Sequence, residues 1–223
     1  MSGKFYGVGV GPGDPELMTV KAINTIKECS VIAFPGEAVK DAVAYNIANK
    51  MVPEIKILLP LKMPMSADRE LISKAHSEAA DKIEKYLIKG EDVAFLVLGD
   101  VTIYSTYMYL KSIVDEHGFK SEIVSGIPSF CAAAAVSGIS LCQWDENVVI
   151  IPSRHKIPDR FEEGKNYVLM KAGSRLSDIC ARVRESQREA VCVENCGMEN
   201  ERIYIGVDNI PDKAGYYSIV IIK

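Results

Sequence analysis

The chain has 223 residues, 48% hydrophobic and 25% charged, with a formal net charge of −4. These values suit a globular chain of one large or two small domains and exclude a global positive field that would draw in nucleic acid. No run reaches the ~18 apolar residues of a membrane span, and the N-terminus lacks a basic-then-apolar signal segment, so a cytoplasmic location is expected. The six cysteines (Cys29, Cys131, Cys142, Cys180, Cys192 and Cys196) form no C-x-x-C pair. Most lie in apolar runs and read as buried free thiols, so no metal site is expected.

Strand-like runs at residues 5–10, 30–34, 55–60 and 92–98 alternate with helix-like segments at 19–28, 38–50, 68–89 and 105–117. In the longest helix Leu71, Ala75, Ala79, Ile83 and Leu87 recur every four residues on one face, with Lys and Glu on the other. Gly90 stops it. Such alternation predicts a parallel sheet covered by helices. Beyond His117-Gly118 strands dominate, at 122–124, 147–152, 167–171, 190–194, 202–207 and 216–222, with helices only at 129–137 and 176–186. The expected architecture is therefore two α/β domains: residues 1–120 with a parallel sheet and helices, and residues 121–223 with a mixed sheet. The active site is expected in the cleft between them.

Four segments could carry chemistry. In GVGVGPGDPELMTVKA, residues 7–22, a strand runs into Gly11-Pro12-Gly13 and then a helix, with Asp14 able to cap and Pro15 suited to a first helical position. This places bare backbone N–H groups at the carboxyl edge of a sheet, where open α/β folds bind ligands. Gly9 and Gly11 fit the first two positions of a dinucleotide fingerprint, but Asp14 stands at the third, and a P-loop would need Lys after Gly13. A purely structural strand-to-helix turn explains these glycines equally well. In LVLGDVTIYSTYMYL, residues 96–110, Gly99 permits close backbone approach. Asp100 can accept hydrogen bonds from a ligand hydroxyl or ammonium, and Ser105 or Thr106 can cap the next helix. Simple capping by Asp100 and Thr106 is the competing reading. In SGIPSFCAAAA, residues 125–135, Gly126 ends a strand and Ser129 opens a helix of small residues that can lie close to a sheet or a flat ligand. In YVLMKAG, residues 167–173, Met170 ends an apolar strand and suits either a purine or the core.

Together and in this order, these segments resemble the tetrapyrrole (corrin and porphyrin) methylases, S-adenosylmethionine-dependent enzymes, over essentially the whole chain. The IYSTYMYL continuation is most similar to members that methylate carbon-20 of precorrin-2 or cobalt-factor II in cobalamin synthesis. One departure is Val101, where the family commonly has Pro, so a fixed φ is lost. The resemblance implies that S-adenosylmethionine, leaving as S-adenosylhomocysteine, is bound by Pro12, Leu98, Gly99, Asp100, Ile103, Ser105, Thr106, Pro128, Ser129, Met170 and Gly197. Tyr104, Asp100 and His155 are the candidates to assist proton loss from carbon-20, His155 reading more readily as a solvated surface residue. A tetrapyrrole's acetates and propionates need cations. Arg154, His155 and Lys171 are the candidates, within a basic run that includes Lys156, Arg160 and Arg175; a solvated basic surface is the alternative. A homodimer is implied, with no protein-bound metal and neither nucleic acid nor membrane as partner. The alternatives are a methylase of another corrin carbon, of protein or of RNA, a non-catalytic nucleotide-binding domain, and a nicotinamide oxidoreductase. The last is weakened because Glu37 is the only acid near the end of the second strand.

Overall fold

The structure, a computed structural model, describes residues 1–53, 56–64, 66, 68–154 and 156–223. It divides into two compact units, Met1–Pro128 and Ser129–Lys223.

The first unit runs β1 (Lys4–Gly9), α1 (Val20–Glu28), β2 (Val31–Pro35), α2 (Val43–Met51), β3 (Ile57–Leu61), α3 (Arg69–Leu87), β4 (Val93–Val97), α4 (Tyr107–Glu116) and β5 (Lys120–Val124). The strands form one sheet in the order β3-β2-β4-β1-β5, and every pairing is parallel. Strand alternation sends odd and even positions to opposite faces. Val8, Ile32 and Leu96 meet Ala22 and Ile26 of α1 and Ala44, Ile47 and Ala48 of α2. Phe5, Val31 and Phe95 meet Ala79, Ile83 and Leu87 of α3 and Leu110 and Val114 of α4. Both faces are covered, which is why β2 and β4 are continuous apolar runs. Thr19 caps α1 by accepting from the Ala22 N–H, and Asp68 caps α3 by accepting from Glu70 and Leu71.

Tyr107, at the start of α4, is fully buried against Phe5, with ring centroids 4.9 Å apart. Its phenol donates to the carbonyls of Phe5 (3.2 Å) and Glu122 (2.9 Å), joining β1 to β5. A Cβ at Gly7 would lie 2.5 Å from the Tyr107 ring, so the first glycine of the alternating series makes room for this side chain.

The second unit runs α5 (Ser129–Val136), β6 (Asn147–Pro152), β7 (Lys165–Met170), α6 (Leu176–Glu185), β8 (Ala190–Glu194), β9 (Arg202–Ile205) and β10 (Ser218–Ile222). The sheet order is β6-β7-β10-β8-β9; only β6 and β7 are parallel, so the sheet is mixed, as expected. Leu176, Ile179, Cys180 and Val183 of α6 pack on Leu169, Val220 and Ile222.

Two sequence expectations shift. The strand expected at 122–124 begins at Lys120 and pairs with β1, so it completes the first sheet, and the units divide after Pro128 instead of near residue 120. Its half-polar sequence KSEIV suits an edge strand of either sheet, and only the tertiary pairing settles which one. The helix expected over 38–50 begins at Val43, after a short 3-10 turn at Val39–Asp41. Cys29, Cys180, Cys192 and Cys196 are buried while Cys131 and Cys142 are exposed. Burial pushes the Cys29, Cys192 and Cys196 thiols up to about 12. Among the described residues no helix is long and apolar enough to cross a membrane.

Candidate functional site

β1 and β4 are neighbours, yet the chain leaves them towards opposite faces. After β1 it passes through α1 to β2, and after β4 it passes through α4 to β5. Their carboxyl ends therefore form the topological switch point, where open α/β sheets take ligands. Here Gly11 and Gly99 exchange backbone hydrogen bonds of 3.3 Å (Gly11 N to Gly99 O) and 2.7 Å (Gly99 N to Gly11 O). Both take left-handed conformations, with φ of +78° and +79°, which favour glycine. A Cβ on Gly9 would lie 2.6 Å from Gly126 N, and one on Gly126 would lie 2.2 Å from Gly99 O. The loops after β1, β4 and β5 are thus locked backbone to backbone.

Asp100 buckles this arrangement. Only 7% exposed, it accepts at Oδ2 from the Gly126 N–H (2.9 Å) and at Oδ1 from the Thr102 N–H (2.8 Å) and hydroxyl. Two carboxylate oxygens offer about four acceptor positions, so three are taken by the protein itself. The carboxylate is chiefly a brace, with little acceptor capacity left for a ligand. Val101 lies fully buried beside Phe5, Phe95 and Tyr107. The turn that Pro would have fixed is held instead by the Asp100–Thr102 bonds.

The α4 entrance resolves the capping question. Ser105 accepts from the Tyr107 N–H (3.1 Å), and Thr106 makes no side-chain cap bond. Leu98, Ile103, Thr106 and Pro128 are half-buried around this edge, and Pro12 is buried. Tyr104 is 49% exposed with a φ of +49°, a conformation rare outside glycine that clusters at functional sites. Asp14 accepts from the Glu16 N–H (2.9 Å), opening the turn that Pro15 begins.

In the second unit β6, β7 and β8 end at one edge, and β10 begins there. Ser153 N donates to Met170 O (2.7 Å). Met170 is half-buried, and Lys171 follows it with a φ of +59°. Gly197, after β8, has a φ of +74° and donates its N–H to Glu201 Oε2 (2.7 Å). Ser129 is half-buried at the start of α5, and Arg154 is exposed after β6. His155, the other expected substrate contact of the basic run, lies outside the described residues. Sequence reasoning missed Thr102 and Gly126 as the partners of Asp100, and Tyr107 as the tie between β1 and β5.

The first unit's edge suits a ligand read largely by main-chain groups: Gly9 and Gly126 pack backbone against backbone and leave the rim at Gly11 and Gly99, flanked by the apolar Leu98 and Ile103, to face it. Comparison with known proteins agrees. A family model described as Tetrapyrrole (Corrin/Porphyrin) Methylases matches residues 4–208. A probable cobalt-precorrin-2 C(20)-methyltransferase of Methanocaldococcus jannaschii is 33% identical over 99% of this chain and 96% of its own length. A precorrin-2 C(20)-methyltransferase of Sinorhizobium sp. is 28% identical over 99% of this chain and 95% of its own length. Among solved structures, the uroporphyrin-III C-methyl transferase from Thermus thermophilus complexed with S-adenyl homocysteine is similar in fold. Its TM-score is 0.72 at 19% identity, covering 99% of this chain and 97% of that one. A cobalt precorrin-4 methyltransferase gives a TM-score of 0.73 at 20% identity, covering 98% of this chain and 94% of that one. With a family match spanning nearly the whole sequence and glycine-lined loops at the switch point, the chain belongs to the tetrapyrrole methylases.

Proposed function

We propose that this chain transfers a methyl group from S-adenosylmethionine to carbon-20 of a cobalt-loaded dipyrrocorphin of the cobalt-factor II type, in cobalamin synthesis. The observation that carries the reading is the near-full-length likeness, at 33% identity, to a protein named for that reaction. The metal-free substrate precorrin-2 is the second reading, favoured by the 28% identical relative named for it. A cytoplasmic homodimer is the form we propose for the protein.

The chain's residues fit the cofactor. Bound S-adenosylmethionine supplies a methyl group already activated by a sulfonium. Gly99, with Pro12 and Leu98, would offer main-chain groups and a small apolar wall; Ile103, Ser105, Thr106 and Pro128 would complete the first unit's share. Ser129, Met170 and Gly197 keep the cofactor role that the resemblance gives them. Asp100 acts by fixing the loop that presents these groups. The chemistry needs little acid or base assistance, so the protein contributes orientation and exclusion of water. For the proton that leaves carbon-20, Tyr104 is a better candidate than Asp100, because the Asp100 carboxylate already accepts three protein hydrogen bonds.

Calorimetry is expected to show binding of S-adenosylmethionine and S-adenosylhomocysteine without added metal. Binding of neither, with nicotinamide or adenine nucleotides bound instead, overturns the cofactor assignment. An anaerobic assay offers labelled S-adenosylmethionine with cobalt-factor II, precorrin-2 and a later trimethylated intermediate. Label only in the last refutes carbon-20. Equal turnover of the first two removes the preference for cobalt.

A further inference from the structure

The cofactor reading leaves a braced aromatic corner of the second unit unused. Tyr216 and Tyr217 lie immediately before β10, at the edge where β7 and β8 end: Ile219 is in register with Met170, and Ser218 with Glu194. Four hydrogen bonds fix the segment. Gly215 N donates to Glu194 Oε1 (2.6 Å), Ser218 Oγ to Gly215 O (2.8 Å), Ala214 N to Gly173 O (3.0 Å) and Asn195 N to Tyr217 O (2.9 Å). A Cβ at Gly173 would come within 2.1 Å of Gly215 O, so this approach is closer than any other residue allows. The two rings meet edge to face, with centroids 5.2 Å apart and planes at 79°, and they remain 40% and 39% exposed. Burial also raises the Tyr217 phenol above its ordinary value, which keeps that ring neutral.

Lys171 completes the corner. Its ammonium lies 5.8 Å from the Tyr216 ring centroid, and it forms no ion pair with a carboxylate among the described residues. Glu194, the acid on this edge, gives one oxygen to Gly215. Left-handed backbone at both Lys171 (φ +59°) and Asn195 (φ +53°) flanks the tyrosines. Such conformations persist only where the surrounding structure over-determines them, and they cluster at ligand sites. An exposed flat ring on a rigid segment beside a cation suits a flat heterocycle with anionic arms. Lys171 would repel the sulfonium and ammonium of the methyl donor but attract its carboxylate, so the S-adenosylhomocysteine affinity of a Tyr216 variant separates the two ligands.

We infer that Tyr216 and Lys171 form a subsite for one carboxylate-bearing pyrrole ring of the tetrapyrrole, the ring lying against Tyr216 and its acetate or propionate pairing with Lys171. This rests on the tetrapyrrole reading above. Both are positioning residues, so they govern substrate affinity and leave the transfer step alone.

The test uses the full chain under anaerobic conditions. Cobalt-factor II is titrated by absorbance in the presence of S-adenosylhomocysteine, turnover is measured with labelled S-adenosylmethionine, and S-adenosylhomocysteine affinity is measured by calorimetry. Tyr216→Ala is expected to raise the Kd and KM for cobalt-factor II roughly tenfold, as loss of one aromatic contact does, with kcat and S-adenosylhomocysteine affinity unchanged. Tyr216→Phe, which keeps the ring, restores both. Lys171→Met, an independent variant that leaves the 214–218 segment intact, is expected to weaken binding several-fold and to flatten its salt dependence. A Tyr216→Ala loss that appears in S-adenosylhomocysteine affinity gives the corner to the cofactor and overturns the subsite. So does wild-type affinity for cobalt-factor II in both variants. A wild-type chain that neither binds nor methylates cobalt-factor II overturns the functional reading and the subsite with it.

Discussion

Asp100→Asn tests the brace at the switch point. In the wild type one oxygen accepts from Gly126 and the other from both donors of Thr102. An amide has one acceptor oxygen, so if the Thr102 bonds are kept its NH2 faces the Gly126 N–H, donor against donor. The loss is one charge-assisted hydrogen bond at a half-buried main-chain donor, about 1.5–3 kcal/mol. For a chain of this size that lowers the thermal midpoint by roughly 4–10 °C. Asp100→Ala shares the Gly126 loss and also deletes the Thr102 bonds. Thr102 is exposed and can turn to water, so the added cost is at most about 1 kcal/mol. Thr102→Ala, which leaves the Gly126 link intact, is expected to cost about 0.5 kcal/mol or less. Because the brace sets the Gly99 and Gly126 backbones, Asp100→Asn should also weaken S-adenosylhomocysteine binding, while Thr102→Ala should not. The readouts are differential scanning fluorimetry and calorimetry on all three variants. If Asp100→Asn melts with the wild type, or if Thr102→Ala costs as much as Asp100→Asn, Asp100 is not the brace described.

Gly7→Ala forces a methyl to 2.5 Å from the Tyr107 ring; it should destabilise by roughly 1–3 kcal/mol or more by overpacking, and a second change, Tyr107→Leu, should recover part of the loss in a denaturant melt. Tyr107→Phe keeps the ring but removes the phenol's bonds to Phe5 and Glu122, so a lower urea midpoint worth about 1–2 kcal/mol is expected. Hydrogen bonds from Lys21 and Lys4 hold the Glu122 carboxyl down to about 2, against an ordinary value of 4.5. A depressed acid contributes stability above its unfolded value and loses it as pH falls through its folded one. The stability gap between wild type and Glu122→Gln should therefore be constant above pH ~5 and close between pH ~4.5 and ~2; a gap that persists at pH 2 contradicts the triad.

The strands at 147–152 and 190–194 were legible to the residue, because an apolar run bounded by polar turns leaves little freedom in where it ends. The glycine loop after β1 and the Gly99-Asp100 turn were legible as loops at the sheet's carboxyl edge because both are local strand-to-helix features. What could not be read were partnerships across the chain. Asp100 meets Gly126 over 26 positions, and Tyr107 meets Phe5 over 102. No periodicity encodes such pairings. Capping was left between two residues for a smaller reason: Ser105 and Thr106 are adjacent and chemically alike, and only the backbone path into α4 selects Ser105.

The alternating glycines have separate duties, and those duties bear on which ligands the site can take. Gly7 and Gly9 share the strand face of Phe5, since side-chain direction alternates along β1. The space a side chain would fill at Gly7 is occupied by the Tyr107 ring, and at Gly9 by the Gly126 and Gly99 backbones. In a dinucleotide fingerprint Gly9 would serve the tight turn and Gly11 the close approach of a pyrophosphate. The protein fills the space at Gly7 and Gly9, and the rim formed by residues 11–13 and 98–100 is left to meet a ligand. That rim has no lysine and carries the Asp100 carboxylate behind it, an arrangement that disfavours phosphate and tolerates a cationic sulfonium compound. The rim's lack of a cation thus favours the methyl donor over a nicotinamide dinucleotide, and a chain whose switch point binds NADH in preference to S-adenosylhomocysteine would contradict it.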